Sequence, residues 1–204
     1  SIKLAFCVML GWCPADWNKV FVFPASSAMA AVDLHVLNQQ PLTDLFSYAT
    51  QSRSNNFLII RFSDNDYSIY VGGAGLIFKV PLKEKPSWDH ICVLWDSSIG
   101  LVQLWLNGEA LPRLGLKKGY SISPQASIML GQDQDSFGGG FDFNQSSVGE
   151  IFDVNMWARV LKPVGVRMIW NSITPVDPLI YWRSLSYSIK DEVYVEDLLA
   201  LQRV

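Results

Sequence analysis

From Val20 onward the chain is divided into short apolar runs, each closed by a turn signal. Phe57-Leu58-Ile59-Ile60-Arg61-Phe62 runs into Ser63-Asp64-Asn65-Asp66, and Tyr67-Ser68-Ile69-Tyr70-Val71 into Gly72-Gly73. His90-Ile91-Cys92-Val93-Leu94-Trp95 and Leu101-Val102-Gln103-Leu104-Trp105-Leu106 flank Ser97-Ser98-Ile99-Gly100, and Asn107-Gly108 follows. Runs of this length, rich in β-branched and aromatic residues, suit pleated strands, and Asn-Gly suits a two-residue hairpin turn. The spacing predicts an antiparallel sandwich or barrel rather than βαβ units. One helix is expected from Pro163 to Asn171, where a proline fits the first turn although Gly165 and two valines weaken it. With 204 residues, half of them hydrophobic, and no repeat or linker, the chain fits one large β domain.

Composition excludes some partners. The net charge of −3, with no Lys/Arg run and no basic aromatic stripe, gives no footprint for nucleic acid. No apolar run is long enough to span a bilayer. The first residues differ in texture: Lys3 precedes Leu4-Ala5-Phe6-Cys7-Val8-Met9-Leu10, then Gly11-Trp12-Cys13-Pro14-Ala15. A basic residue, a short apolar run and a small residue at Ala15 match a secretory leader. The expectation is a leader over 1–15 and one mature domain over 16–204, secreted to an extracellular location; the alternative is a buried strand in an N-terminal extension. With Cys7 and Cys13 in the leader, Cys92 is left without a partner.

One stretch carries ligand chemistry. Gln132-Asp133-Gln134-Asp135-Ser136-Phe137-Gly138-Gly139-Gly140-Phe141-Asp142-Phe143-Asn144-Gln145 gathers carboxylates, amides and glycines in one loop. Calcium takes six to eight oxygens from such groups, and Asp133 and Asp135 alternate so as to converge on one ion. The segment is not an EF-hand, lacking the Asp-x-Asp-x-Asp-Gly order and terminal Glu. The other reading is a solvated acidic turn.

Gly131 to Gly139 resembles the calcium loop of pentraxins, where the first acid is usually Glu. His90-Ile91-Cys92-Val93-Leu94-Trp95-Asp96-Ser97 resembles the pentraxin signature His-x-Cys-x-(Ser/Thr)-Trp-x-Ser, departing at Leu94. Phe21-Val22-Phe23-Pro24, Phe46-Ser47-Tyr48-Ala49-Thr50, Leu116-Lys117-Lys118-Gly119-Tyr120 and Val148-Gly149-Glu150-Ile151 are similar to further landmarks, in family order. The resemblance implies an all-β, two-sheet antiparallel jelly-roll sandwich with one short helix, two adjacent calcium ions on the opposite face and a cyclic, usually pentameric, homo-oligomer. It implies a lectin-like role in innate pattern recognition and the acute phase. The ligands would be phosphocholine, phosphoethanolamine or other phosphorylated or anionic sugar and lipid head groups.

Carried over by position, the metal ligands are Asn55, Asp133, Gln134, Asp135, Asp142 and Gln145. The ligand slot falls on Leu58, Ile60 and Tyr70. Several positions depart from the family pattern. The chain is about fifteen residues short between Pro24 and Val32, roughly a strand and its turn. Asp33 stands where the partner of the signature cysteine belongs, so a core-facing carboxylate beside an unpaired Cys92 thiol is expected, destabilising the chain, and Asp33→Cys should restore the bridge. Ser54 replaces a metal-binding Asp, and Asp133 is one methylene shorter than Glu. Tyr70 fills the slot and Gly75 replaces the Glu that meets choline in some members, so phosphocholine recognition is not expected. Asn107 and Trp170 replace the residues of complement contact. Asn144-Gln145-Ser146 is a glycosylation sequon within the loop, used or unused.

Three functions follow: a calcium-dependent binding module with a weakened site; a degenerate paralogue or imperfect gene product without such binding; or a jelly-roll glycoside hydrolase. The last finds little support. Glu150 and Asp153 are spaced three apart, which sends them to opposite strand faces, and His90 sits in an apolar strand without a nearby Ser nucleophile. No enzyme is expected.

Overall fold

The computed structural model describes residues 3–10, 19–25, 29–35, 46–63, 66–81, 89–123 and 125–197. The strands in chain order are β1 (Lys3–Leu10), β2 (Lys19–Phe23), β3 (Ala31–His35), β4 (Phe46–Thr50), β5 (Arg53–Ser63), β6 (Asp66–Val71), β7 (Ala74–Lys79) and β8 (Asp89–Asp96). They continue with β9 (Leu101–Leu106), β10 (Glu109–Ala110), β11 (Leu114–Gly115), β12 (Ser127–Leu130), β13 (Gly149–Trp157), β14 (Ser186–Lys190) and β15 (Tyr194–Asp197). Helix α1 spans Pro163–Trp170, with proline in its first turn as expected. The expected hairpins form, Asn107 and Gly108 both taking the positive φ (51° and 82°) of a tight turn between β9 and β10.

The strands form two antiparallel sheets. One runs β10-β9-β8-β1-β13-β2-β15, with β11 also on β9; the other runs β14-β3-β12-β4-β5-β6-β7. Period-two alternation sorts the side chains into layers. Phe6, Val8, Ile91, Val93, Trp95, Val102 and Leu104 of the first sheet meet Val32, Leu34, Tyr48, Phe57, Ile59, Ile69, Val71 and Leu130 of the second in one core. The intervening residues Ala5, Cys7, Cys92, Leu94, Trp105 and Trp157 face the other way and pack with Leu161, Val166 and Ile169 under α1. The helix therefore covers one outer face, and the loop Gly131–Ser146 lies on the opposite outer face of the molecule.

Lys3–Leu10, within the segment expected as a leader, forms a central strand, paired with β8 from Lys3↔Asp96 to Leu10↔Asp89 and with β13 on its other edge. The leader's end, Gly11 to Ala15, lies outside the described residues. Cys92 is not unpaired: it forms a disulfide with Cys7, its direct cross-strand neighbour. Asp33 does not face the core. Val32 and Leu34 do, so alternation turns Asp33 to the outer face, half-exposed, with Lys190 Nζ 3.7 Å away. The rescue expected from Asp33→Cys falls with those two findings. Asp153 also escapes simple alternation, because its φ of 53° marks a bulge where the β1–β13 register shifts.

A buried polar knot closes the end of β8. Asp89 accepts from Tyr67 Oη at 2.9 Å and from Asn107 Nδ2 at 3.0 Å, with Arg61 at 3.9 Å. Burial and the Asp89 charge push the Tyr67 hydroxyl far above its ordinary range, so it remains a donor. Tyr67→Phe should destabilise the protein by about 1.5–3 kcal/mol, since a buried carboxylate loses a donor. The urea midpoint should fall with an unchanged slope. His90, stacked near Trp170 with ring centroids 5.6 Å apart, is pushed by burial from 6.5 down to about 4. The unfolded chain thus binds a proton that the folded chain rejects between those values. Stability should hold above about pH 6.5 and fall as pH drops toward 4, by up to about 1.4 kcal/mol per pH unit, and His90→Phe should flatten this slope in pH-dependent melts.

Candidate functional site

The outer face of the seven-stranded sheet carries one continuous row of paired residues: Ser188, Asp33, Met129, Ser47, Leu58, Tyr70 and Gly75. These lie opposite the core by alternation, yet Met129, Ser47 and Leu58 are buried. The loop after β12 supplies contacts over this row. Gly131, at φ 79°, starts it against the ring of Phe23, where a Cβ would meet ring carbon at 2.2 Å. Ser47 then anchors the loop. Its Oγ donates to Asp133 Oδ1 at 3.2 Å and accepts from the Gln134 backbone N–H at 2.8 Å.

Gln134 works as a clamp. Its Nε2 donates to the carbonyls of Ser47 and of Ser127, the latter at 3.1 Å, and its Oε1 accepts from the Gly138 N–H at 2.9 Å. The side chain is thereby committed within the protein, and the group Gln134 would offer a metal is its backbone carbonyl. Paired backbone bonds between Ser136 and Gly139 narrow the loop, and Gln132 bridges to Ser146 at its base. Lys190, from β14, places its ammonium 3.5 Å from the Gly138 carbonyl and over the Phe141 ring at 5.6 Å. Sequence reasoning did not single out Ser47 or Lys190. For Ser47 a signal existed, a small hydroxyl between Phe46 and Tyr48 in an otherwise apolar strand.

The positions expected to bind calcium divide in two. Asp133 is buried, and its carboxyl is raised by desolvation and by the charge of Asp135, against the lowering effect of the Ser47 hydroxyl. Asp135 and Asp142 are exposed. Asn55 Oδ1 and Gln145 Oε1 are buried acceptors that meet no donor among the described residues. A buried oxygen without a donor is costly unless something positive faces it. Acid and amide oxygens without nitrogen or sulfur are a hard-cation donor set, and the residues fit calcium in kind. The three acids do not converge as a trio: among the described residues, the one group of three metal-ligating side chains within 4.8 Å is Cys7, His90 and Cys92. Two of those are joined in the disulfide.

At the slot positions Leu58 is buried and directly opposite Tyr70, which is opposite Gly75. The Tyr70 ring lies against Gly75, where a Cβ would come 2.4 Å from it. Any side chain at 75 would displace the ring, so Gly75 and Tyr70 act as one unit. Ile60, one row on, is half-buried opposite Ser68. Asn144 is the middle residue of a 3-10 turn, Phe143–Gln145, and the sequon's Ser146 donates its hydroxyl to the Phe143 carbonyl at 2.8 Å.

Comparison with known proteins identifies the family. Residues 42–197 match the Pentaxin family model. C-reactive protein of Sus scrofa is 41% identical over 195 residues, covering 88% of this chain and 87% of that protein. Serum amyloid P-component of Sus scrofa is 38% identical over 196 residues, with 88% and 87% covered. Among solved structures, the native heptameric SAP-like pentraxin from Limulus polyphemus superposes with a TM-score of 0.68 at 22% identity, covering 95% of this chain and 94% of that one. The two sheets and the one α-helix among the described residues thus form the jelly-roll expected from the sequence. With a family match over most of its length and relatives near 40% identity, this chain belongs to the pentraxin family, as a binding protein and not an enzyme.

Proposed function

We propose that this pentraxin is an extracellular pattern-recognition protein that binds phosphorylated or anionic sugar and lipid head groups through calcium, at a site weaker than the family pattern provides. The observation that carries the proposal is the pair of buried amide oxygens that meet no donor among the described residues, Asn55 Oδ1 and Gln145 Oε1, together with buried Asp133. Asn55, Asp133, Asp135, Asp142, Gln145 and the Gln134 carbonyl would hold the cation. Calcium, when bound, supplies positive charge to a ligand's anionic oxygens. The chain's own part is to keep Asp133 and Gln134 fixed through Ser47 and to leave a shallow surface, closed by Tyr70 over Gly75, beside them. That closure disfavours a bulky choline group and favours small anionic heads. A cyclic homo-oligomer, pentameric by the family pattern, would add avidity to weak single sites.

Charge count decides the strength of the site. With Ser54 in place of an acid, Asp133, Asp135 and Asp142 supply three negative charges, and affinity follows that count and the rigidity of the loop. Calorimetric titration should give fewer than two strong calcium sites per chain, and Ser54→Asp should tighten binding by about tenfold or more. Two tight sites in the unmodified chain would overturn this account. Complete loss of calcium-dependent retention on phosphoethanolamine and anionic-sugar resins would instead favour a degenerate paralogue.

A glycan at Asn144, inside the same loop, would crowd this surface. Material from a secretory host should lose mass on glycosidase treatment and then bind anionic resin more strongly. An unchanged mass removes the glycan from the proposal.

A further inference from the structure

Strand β1 joins both cores of the molecule. Phe6 and Val8 point between the sheets, while Ala5 and Cys7 point under helix α1, and all four are at most 1% exposed. Its backbone pairs along its whole length with β8 and, across a bulge, with β13. β8 has β9 on its other edge and β13 has β2, so β1 is the one strand bridging the two halves of that sheet. A shortfall of the sequence, a stretch about one strand too short after Pro24, is met by this segment. It supplies a strand and, in Cys7, the sulfur that bonds Cys92.

We infer that Lys3–Leu10 is the occupant of a strand-wide acceptor slot between β8 and β13, and that the folded protein depends on keeping it. A chain trimmed after Ala15 would present two facing, unpaired strand edges built from the buried segment His90–Trp95 and the largely buried Phe152–Trp157. Such edges do not remain soluble unless another strand pairs with them. They are also buried too deeply for water to satisfy their backbone groups. The segment's alternation suits the slot. A replacement strand would need apolar side chains on both faces and a cysteine at the Cys7 position. The inference does not rest on the calcium reading, and its test uses no calcium.

The full chain is produced in a secretory host and in an oxidising cytosolic host, and its intact mass and disulfide-linked peptides are determined. The expected result is folded protein that retains residues 3–10, with the Cys7 and Cys92 peptides cross-linked within one chain. Cys7→Ala, which keeps the strand and removes the bond, should remain folded with a melting temperature lowered by several degrees. Phe6→Asp, which keeps the bond and charges the core, should lose soluble folded protein. Trimmed material found only as aggregate or degraded fragments also supports the inference. Folded protein with a cooperative melt that starts after residue 15 and carries an alkylatable Cys92 thiol overturns it. So does a full-length chain whose Cys7 and Cys92 both react as free thiols without denaturant, or a Cys92 linked to a second chain.

Discussion

The hydrogen-bonding demand of strand β8 is the constraint on which the rest of the structure depends. Asp89 to Trp95 are all buried, so neither edge of this strand can turn to water for partners. β9 satisfies one edge and β1 the other, in registers that run the length of the strand. Because β8 is flanked on both sides, its two faces can each carry a full apolar layer. Ile91, Val93 and Trp95 serve the main core, and Cys92 and Leu94 the helix side. Trp95 then fixes the loop beyond β9 by donating its indole N–H to the Leu116 carbonyl at 3.0 Å. The position of helix α1, the depth of His90 and the closure of the Asp89 knot all follow from that one strand.

The face proposed to bind ligand depends on the other sheet, by a different logic. A sheet face turned to solvent is usually polar, yet here Met129, Ser47 and Leu58 are covered. The loop can lie on them only if its polar atoms find partners there, and Ser47 and Gln134 provide these. The same anchoring draws Asp133 out of water, which raises its carboxyl and makes an external positive charge worth more to it. Lys190 acts against that effect. Its ammonium, 3.7 Å from Asp33 and 3.5 Å from the Gly138 carbonyl, adds positive charge beside the loop and lessens its pull on a divalent cation. It also adds positive charge at the rim of the face proposed to take an anionic ligand.

Much of this was legible in the sequence, because it is local. Alternation within Phe57–Phe62 and His90–Trp95, the turn at Asn107-Gly108 and the proline opening α1 each encode a strand, a turn or a helix start without reference to distant residues. Pairing is another matter. Nothing in Lys3–Leu10 states that it lies between β8 and β13, since strand order is decided by which edges are left open elsewhere. Asp33 was misplaced for a different reason. Family position put it in the core, although its own neighbours Val32 and Leu34, both buried, assign it by alternation to the outer face. Gln134 shows a third limit: an amide has both donor and acceptor, and sequence cannot say whether it serves a metal or the protein.

The N-terminal segment shows why composition alone cannot decide between a leader and a strand. A secretory leader is selected for a short apolar run that crosses into a membrane environment, and a strand buried on both faces is selected for the same run. The distinguishing physics lies in partners rather than in hydrophobicity. A leader needs no register, whereas Phe6 and Val8 must meet one layer while Ala5 and Cys7 meet another, and Cys7 must stand opposite Cys92. A one-residue slip would put Phe6 under the helix and Cys7 between the sheets, breaking the disulfide and overfilling the helix-side cluster. The disulfide thus fixes register as well as linking strands, and register is what makes an otherwise ordinary apolar run specific to its slot.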